Sequence, residues 1–394
     1  MQRARRRTNA DALSVLWELS IILMFVVFAI CLATLIYTYL VLGFPALQAG
    51  MLDSWPMFTI FPMLGVLFFI SGSAVVTIYF IIIFLVLILI YYWFVLSDGK
   101  GAVRLLLAPL ASLVPRLRSK NRWTMVAQLF LAVQFFQFVF AILVSLFGVP
   151  LTGPPGEPTE QWLLLLSLAE APVYEEIVSR VALIGLPMFL FSVVNRGIKA
   201  YGDSASESMD AKGRKSYVLG SFKYLWGGTV DRKSPKWVFA SSFILAMISS
   251  IFFSAAHSNY GAWKLLPTFI AGLALAYAYL RGGLLASILL HFTVNMFSGA
   301  VVLVQDDMSS LVILALMTWA VIAAGSGFFV YYCIYFMNIV RDRLGVRAPL
   351  GQGPPRPENL PPSRMFAATC PFCGWSESLY VEGKLKCSNC GRER

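Results

Sequence analysis

Histidine is almost missing from this chain: 394 residues hold two. Charge is scarce as well, at 13%, where a soluble domain carries roughly 25%. That scarcity excludes an ordinary water-soluble fold, the more so because 58% of the residues are hydrophobic and are gathered in long runs. A convincing secretory signal is also lacking. Arg3, Arg5, Arg6 and Arg7 resemble its basic start, yet the apolar run that follows is too long and no small-residue cleavage site closes it. The run reads as a first anchor helix. No internal repeat is visible.

What is present in abundance is membrane-spanning sequence. A helix needs about 20 apolar residues to cross a bilayer. Eight stretches meet that demand, at 13–42, 57–96, 123–148, 161–195, 237–257, 263–280, 284–304 and 310–340. The expected fold is an all-α polytopic membrane protein of about eight transmembrane helices. The net charge of +11 is explained by the positive-inside rule rather than by nucleic acid. Basic residues crowd one set of loops. Asp53, Glu157, Glu160, Asp306 and Asp307 occupy the other, where Lys264 is the one basic residue. This alternation predicts a multi-pass protein with both termini in the cytoplasm.

The 57–96 block is twice the usual length and is expected to form one long or tilted helix. Segment 97–122 mixes apolar, proline and basic residues and is expected to lie on or beside the membrane surface. The expected organisation is a membrane domain over 1–345 with its motif core at 160–300, and a flexible cytoplasmic loop inserted at 196–236. A Pro-rich linker follows at 346–365, and a small module at 366–394.

Ionisable residues inside spans are costly and are functional candidates by default. The fourth span holds Glu175, Glu176 and Arg180 in YEEIVSR; the fifth ends in FFSAAH at His257; the seventh holds His291 and Asn295 in LLHFTVNMF. Both histidines of the chain thus fall in apolar helices. Glu176 and Arg180, four apart, share a helix face and can neutralise each other. Glu175 points about 100° away and stays available for chemistry. Phe253 lies one turn before His257, and His291 and Asn295 also face one way together.

These strings resemble the three motifs of the CPBP family of CAAX proteases and bacteriocin-processing enzymes: EExxxR, FxxxH, and HxxxN or HxxxD. Glu175, Glu176, Arg180, Phe253, His257, His291 and Asn295 fill all seven positions in order, and the resemblance covers roughly residues 160–300. It implies peptide hydrolysis within the membrane. Glu175 and His257 would activate a water, and His291 and Asn295 would donate to the oxyanion. Glu176, Arg180 and Phe253 would support them. The expected substrate is a membrane-associated peptide or protein, prenylated CAAX-type chains among the candidates. Glu plus two His is also a catalytic zinc set. The resemblance favours a glutamate mechanism that requires no metal, and the residue types permit either. An ion- or proton-coupled transporter and a non-catalytic scaffold are the competing readings. The absent repeat speaks against the first, and the complete motif set against the second.

With straight helices, Glu175, His291 and Asn295 share a depth, whereas His257 sits about 30 Å from the start of its span. The arrangement therefore demands that the fifth span begin later, that it be kinked, or that the outer face be invaginated.

Four of the six cysteines form two knuckles, CPFC and CSNC. Cys370, Cys373, Cys387 and Cys390 are expected to hold a structural zinc in a module that resembles a zinc ribbon. So short a module buries too little to fold without metal. A protein partner for the ribbon stays open, and its few charges give no nucleic-acid footprint. Cys31 and Cys333 lie in spans and read as small apolar residues.

Overall fold

The computed structural model describes residues 2–61, 64–107, 121–151, 160–201, 211–230 and 234–344, together with three short strands near the C-terminus. Among these residues eight helices are long and apolar enough to cross a membrane. They are α1 Ser14–Gln48, α2 Ser73–Arg104, α3 Arg122–Leu146, α4 Gln161–Tyr201, α5 Trp237–Ala256, α6 Ala262–Gly282, α7 Leu284–Val304 and α8 Met308–Ile339. The protein is an all-α polytopic membrane protein, as the apolar runs require. Their outer faces carry exposed Leu89, Ile313 and Leu316, side chains that suit lipid and would be a liability in water.

Helix α7 is the centre of the bundle. Buried positions make up 61% of its most apolar window, against 28–44% in the other spans. Helices α1, α3, α4 and α6 pack around it. Between α6 and α7 stands Gly283 alone, at φ 91°, a conformation that only glycine adopts without strain. Such a tight reversal places α6 and α7 side by side, and the Ser287 hydroxyl reaches the Leu275 carbonyl at 2.9 Å. Helix α5 packs along α6 through small residues, where Gly272 faces Ser250. Helix α3 opens on an Asn121 cap whose side chain accepts from the Thr124 N–H at 3.1 Å, satisfying an otherwise free donor.

Two expectations are corrected. The 57–96 block is not one helix. Ser54–Phe61 and Leu64–Ser71 form an antiparallel hairpin, β1 and β2, in register from Ser54 opposite Ser71 to Phe61 opposite Leu64. The helix begins only at Ser73. Pro56 and Pro62 explain it: each would break a helical turn at a cost of about 3 kcal/mol, and the aromatic and β-branched residues around them suit strands. Trp55 of β1 packs edge-on against Phe80 of α2 with ring centroids 4.9 Å apart.

The 196–236 segment is not simply a flexible loop. Helix α4 continues to Tyr201, a further helix spans Ala211–Leu219, and a 3-10 turn spans Gly220–Leu225. This insertion is pinned to the α6–α7 turn. Gly228 N–H donates to the Tyr279 carbonyl at 2.8 Å and Leu284 N–H to the Trp226 carbonyl at 2.8 Å. Gly227, at φ 71°, lies so close that an added Cβ would stand 2.3 Å from the Tyr279 carbonyl oxygen.

The chain divides into two compact units. The first runs to Tyr332 and holds the elements described above apart from the end of α8. The second includes the end of the last helix from Cys333 and the strands β3 Met365–Phe366, β4 Ser378–Val381 and β5 Lys384–Cys387. These pair antiparallel in the order β3-β4-β5, with Ser378 opposite Cys387. Cys387 ends β5; Cys370, Cys373 and Cys390 lie outside the described residues, as do most of 97–122 beyond Leu107 and all of the expected 346–365 linker except Met365.

Candidate active site

The site forms where α4, α5 and α7 meet. Helix α4 carries Pro172 within it and passes into a π-helical stretch over Ile177–Gly185, directly after the two glutamates. A π-helical stretch is uncommon and recurs at functional sites because it re-aims side chains.

Glu176 and Arg180 are fully enclosed, each with no exposed side-chain surface, and are joined from Arg180 Nε to Glu176 Oε2 at 3.1 Å. A buried ion pair needs further hydrogen bonds to offset its desolvation. Both partners have them. Glu176 Oε1 accepts from His291 Nδ1 at 3.1 Å, and the Ser287 hydroxyl lies against Oε2. Arg180 donates to the Ser249 hydroxyl, which itself donates to the Ser179 carbonyl at 2.6 Å. The guanidinium also lies over the Phe253 ring, 5.0 Å from its centre, a favourable cation–π placement.

Glu175 turns the other way, as one residue of helix rotation dictates. Its Oε2 stands 3.9 Å from His291 Nε2 and 4.0 Å from His257 Nε2. The side chains of Glu175, His257 and His291 are 31%, 21% and 8% exposed, so this corner is partly open while the ion pair behind it is closed. Glu175 Oε2 accepts no hydrogen bond among the described residues.

The imidazoles are oriented from behind. His257 Nδ1 lies 2.8 Å from the Phe253 carbonyl. A carbonyl only accepts, so Nδ1 carries the hydrogen and Nε2 faces Glu175. His291 Nδ1 likewise donates to the Glu176 carboxylate, which turns its Nε2 toward Glu175. Phe253 fills the space between the rings, 4.8 Å from His257 and 5.7 Å from His291 by centroid.

Six of the seven motif residues thus form one contact network. The seventh, Asn295, donates from Nδ2 to the Leu168 carbonyl at 3.2 Å, on the same helix as Glu175 but two turns earlier. The depth problem is solved by an axial offset. Ser249, thirteenth in α5, and Ser287, fourth in α7, reach neighbouring positions on the Glu176–Arg180 turn. Nine residues of difference put the start of α5 roughly 13 Å beyond that of α7.

Sequence reasoning missed four residues. Ser249 and Ser287 complete the ion-pair network, and their signal was periodicity: Ser249, Phe253 and His257, like Ser287, His291 and Asn295, recur every four residues on one face. Glu170 is buried and accepts from the Tyr79 hydroxyl of α2. An acid in an apolar run was a readable signal for it.

Residues 157–297 match the family described as Type II CAAX prenyl endopeptidase Rce1-like. Neither the comparison with curated proteins nor that with solved structures gives a match. The matched segment begins just before α4 and ends within α7, so it encloses all seven motif residues together with Glu170, Ser249 and Ser287. The chain is an integral multi-pass membrane protein and a protease.

Proposed function

We propose that this protease cleaves a peptide bond in a membrane-associated substrate, of the prenylated CAAX type, by a water that Glu175 and His257 activate without a metal. The observation that carries this reading is the approach of Glu175 Oε2 to both Nε2 atoms at 3.9 and 4.0 Å. That separation is too long for a direct hydrogen bond and suits a water held between. It also exceeds the roughly 3.3 Å between neighbouring ligands of a tetrahedral zinc with bonds near 2.05 Å.

In the first step the Glu175 carboxylate takes a proton from the water, while the His257 Nε2 lone pair accepts its second hydrogen and orients it. The hydroxide oxygen attacks the carbonyl carbon and the carbonyl π-electrons move to oxygen. His291 is the donor placed for that oxyanion. Its Nδ1–H is engaged by Glu176, so donation to the oxyanion from Nε2 requires the doubly protonated ring. Asn295 would add a second donor through the amide hydrogen not given to Leu168. As the tetrahedral species collapses, the C–N bond breaks and Glu175 returns its proton to the leaving amine. The products are a carboxylate and an amine, with one water consumed.

Both termini are proposed to lie in the cytoplasm, on the strength of the loop-charge alternation. Cys370, Cys373, Cys387 and Cys390 are proposed to bind a structural zinc in the C-terminal module. Support comes from their spacing and from the antiparallel β4–β5 pair that leads into Cys387.

The test is cleavage of a prenylated CAAX peptide by purified protein in proteoliposomes. Glu175→Gln should lower the rate at least about 100-fold, the scale of a lost general base. Undiminished cleavage would overturn the reading. The same preparations, assayed for metal, should hold about one zinc per chain, lost in Cys370→Ser but kept in Glu175→Gln. Zinc that disappears with Glu175 instead would place the metal in the active site.

A further inference from the structure

The insertion between α4 and α5 turns an unusual face outward. From Ala211 to Val230 it contains no acidic residue. Its exposed side chains include Lys215, Leu219, Phe222, Lys223 and Trp226, spaced by four, three, one and three along consecutive helical turns. Trp226 is 65% exposed and Phe222 49%. The inward positions are already spent on the protein. Ser221 is buried and takes the Ser192 hydroxyl at 2.9 Å. The Tyr217 carbonyl accepts from Arg196 at 2.7 Å, and the carbonyls of Tyr224 and Leu225 stand 3.0 and 2.8 Å from the Tyr279 hydroxyl.

A helix against water hides its large apolar side chains and shows its polar ones. This segment shows leucine, phenylalanine and tryptophan together with lysines, the composition of a segment lying in the membrane interface. The stripe is also continuous with a surface that meets lipid. The Phe222 ring packs on Phe189 of α4 with centroids 4.8 Å apart. On that helix Leu190, Phe191, Val194, Ile198 and Tyr201 are all exposed, the apolar face of a membrane-spanning element. Lys199 is exposed at the same end.

We infer that Leu219, Phe222 and Trp226 insert at the bilayer surface while Lys215 and Lys223 bind anionic phospholipid headgroups. Tryptophan and lysine are the residues that anchor at headgroup level, and lysines near an anionic surface add attraction that salt weakens. The docked segment has a mechanical link to the site. Its Trp226 carbonyl holds the first N–H of α7, and His291 lies two turns further along that helix. Anionic lipid thereby steadies the start of the helix that presents His291. Lipid docking stands without the proposed chemistry; only its effect on turnover rests on that reading.

The experiment uses full-length protein in nanodiscs of phosphatidylcholine alone or phosphatidylcholine with phosphatidylglycerol. The fluorescence difference between the wild type and Trp226→Phe isolates the Trp226 emission, and brominated-chain lipids report its contact with the bilayer. Most of the Trp226 emission should be quenched in the mixed bilayers. Lys215→Gln with Lys223→Gln should bring quenching down to its level in phosphatidylcholine, and high salt should do the same. Trp226 emission untouched by brominated lipid in either bilayer overturns the docking. Quenching indifferent to anionic lipid, salt and both lysines overturns the headgroup recognition. Glu175→Gln should quench like the wild type, so a failed protease assay leaves this measurement intact.

Discussion

Glu175 and Glu176 are neighbours in sequence and opposites in environment. Glu176 is sealed, with every oxygen engaged by Arg180, His291 or Ser287. Glu175 is partly open, and its Oε2 faces two imidazole nitrogens without a direct hydrogen bond. One residue of helical rotation separates a carboxylate that holds the structure from one left free to exchange a proton. On the proposed chemistry, Glu175 relies on this second, fully hydrogen-bonded acid, which holds His291 in place.

Several substitutions put this contrast at risk. The largest effect should come from Glu175→Gln, which removes the proton acceptor and keeps the shape. Turnover should fall at least about 100-fold while the thermal midpoint in detergent stays put. A large loss of stability would show that Glu175 is structural too. Next come Glu176→Ala and Arg180→Ala. Each leaves a buried charge without its partner and should cost about 3–5 kcal/mol, read as a lower unfolding midpoint. The double variant Glu176→Leu with Arg180→Met sharpens the point. It should regain much of that stability, since an apolar pair can replace a buried ion pair. It should not regain activity, because His291 Nδ1 loses its acceptor. Recovery of both would mean that Glu176 only fills space. Ser287→Ala should be milder, at about 1–3 kcal/mol for a buried partner lost, with a shifted pH–rate profile as the sign that His291 was disturbed. An unshifted profile would confine Ser287 to a structural role.

Much of this was legible in the sequence. Eight spans followed from apolar runs, because a bilayer leaves the backbone few alternatives to helix. Glu175, His257 and His291 stood out because charge and histidine are so scarce elsewhere. The hairpin was hidden because hydropathy cannot tell an apolar strand from an apolar helix; Pro56 and Pro62 were the available signals. The Ser249 and Ser287 contacts were hidden because serine is ordinary in a span until its neighbour across the interface is known. The depth mismatch of His257 was legible, but its resolution by an axial offset of α5 was not, because spacing along one helix carries no information about sliding between two. For Asn295 the spacing placed the side chain on the His291 face, while the bond it makes, to Leu168, depends on how α4 approaches α7.

The π-helical stretch over Ile177–Gly185 divides α4 into two parts whose angular phases are set separately. Upstream lie the glutamates; downstream lie Ser192 and Arg196, which grip the insertion. Removing one residue from the stretch would turn the downstream part by about 100° and leave the glutamates where they are. The wide turns therefore act as a vernier, through which a single insertion or deletion could re-clock the part of α4 that grips the insertion against unmoved glutamates.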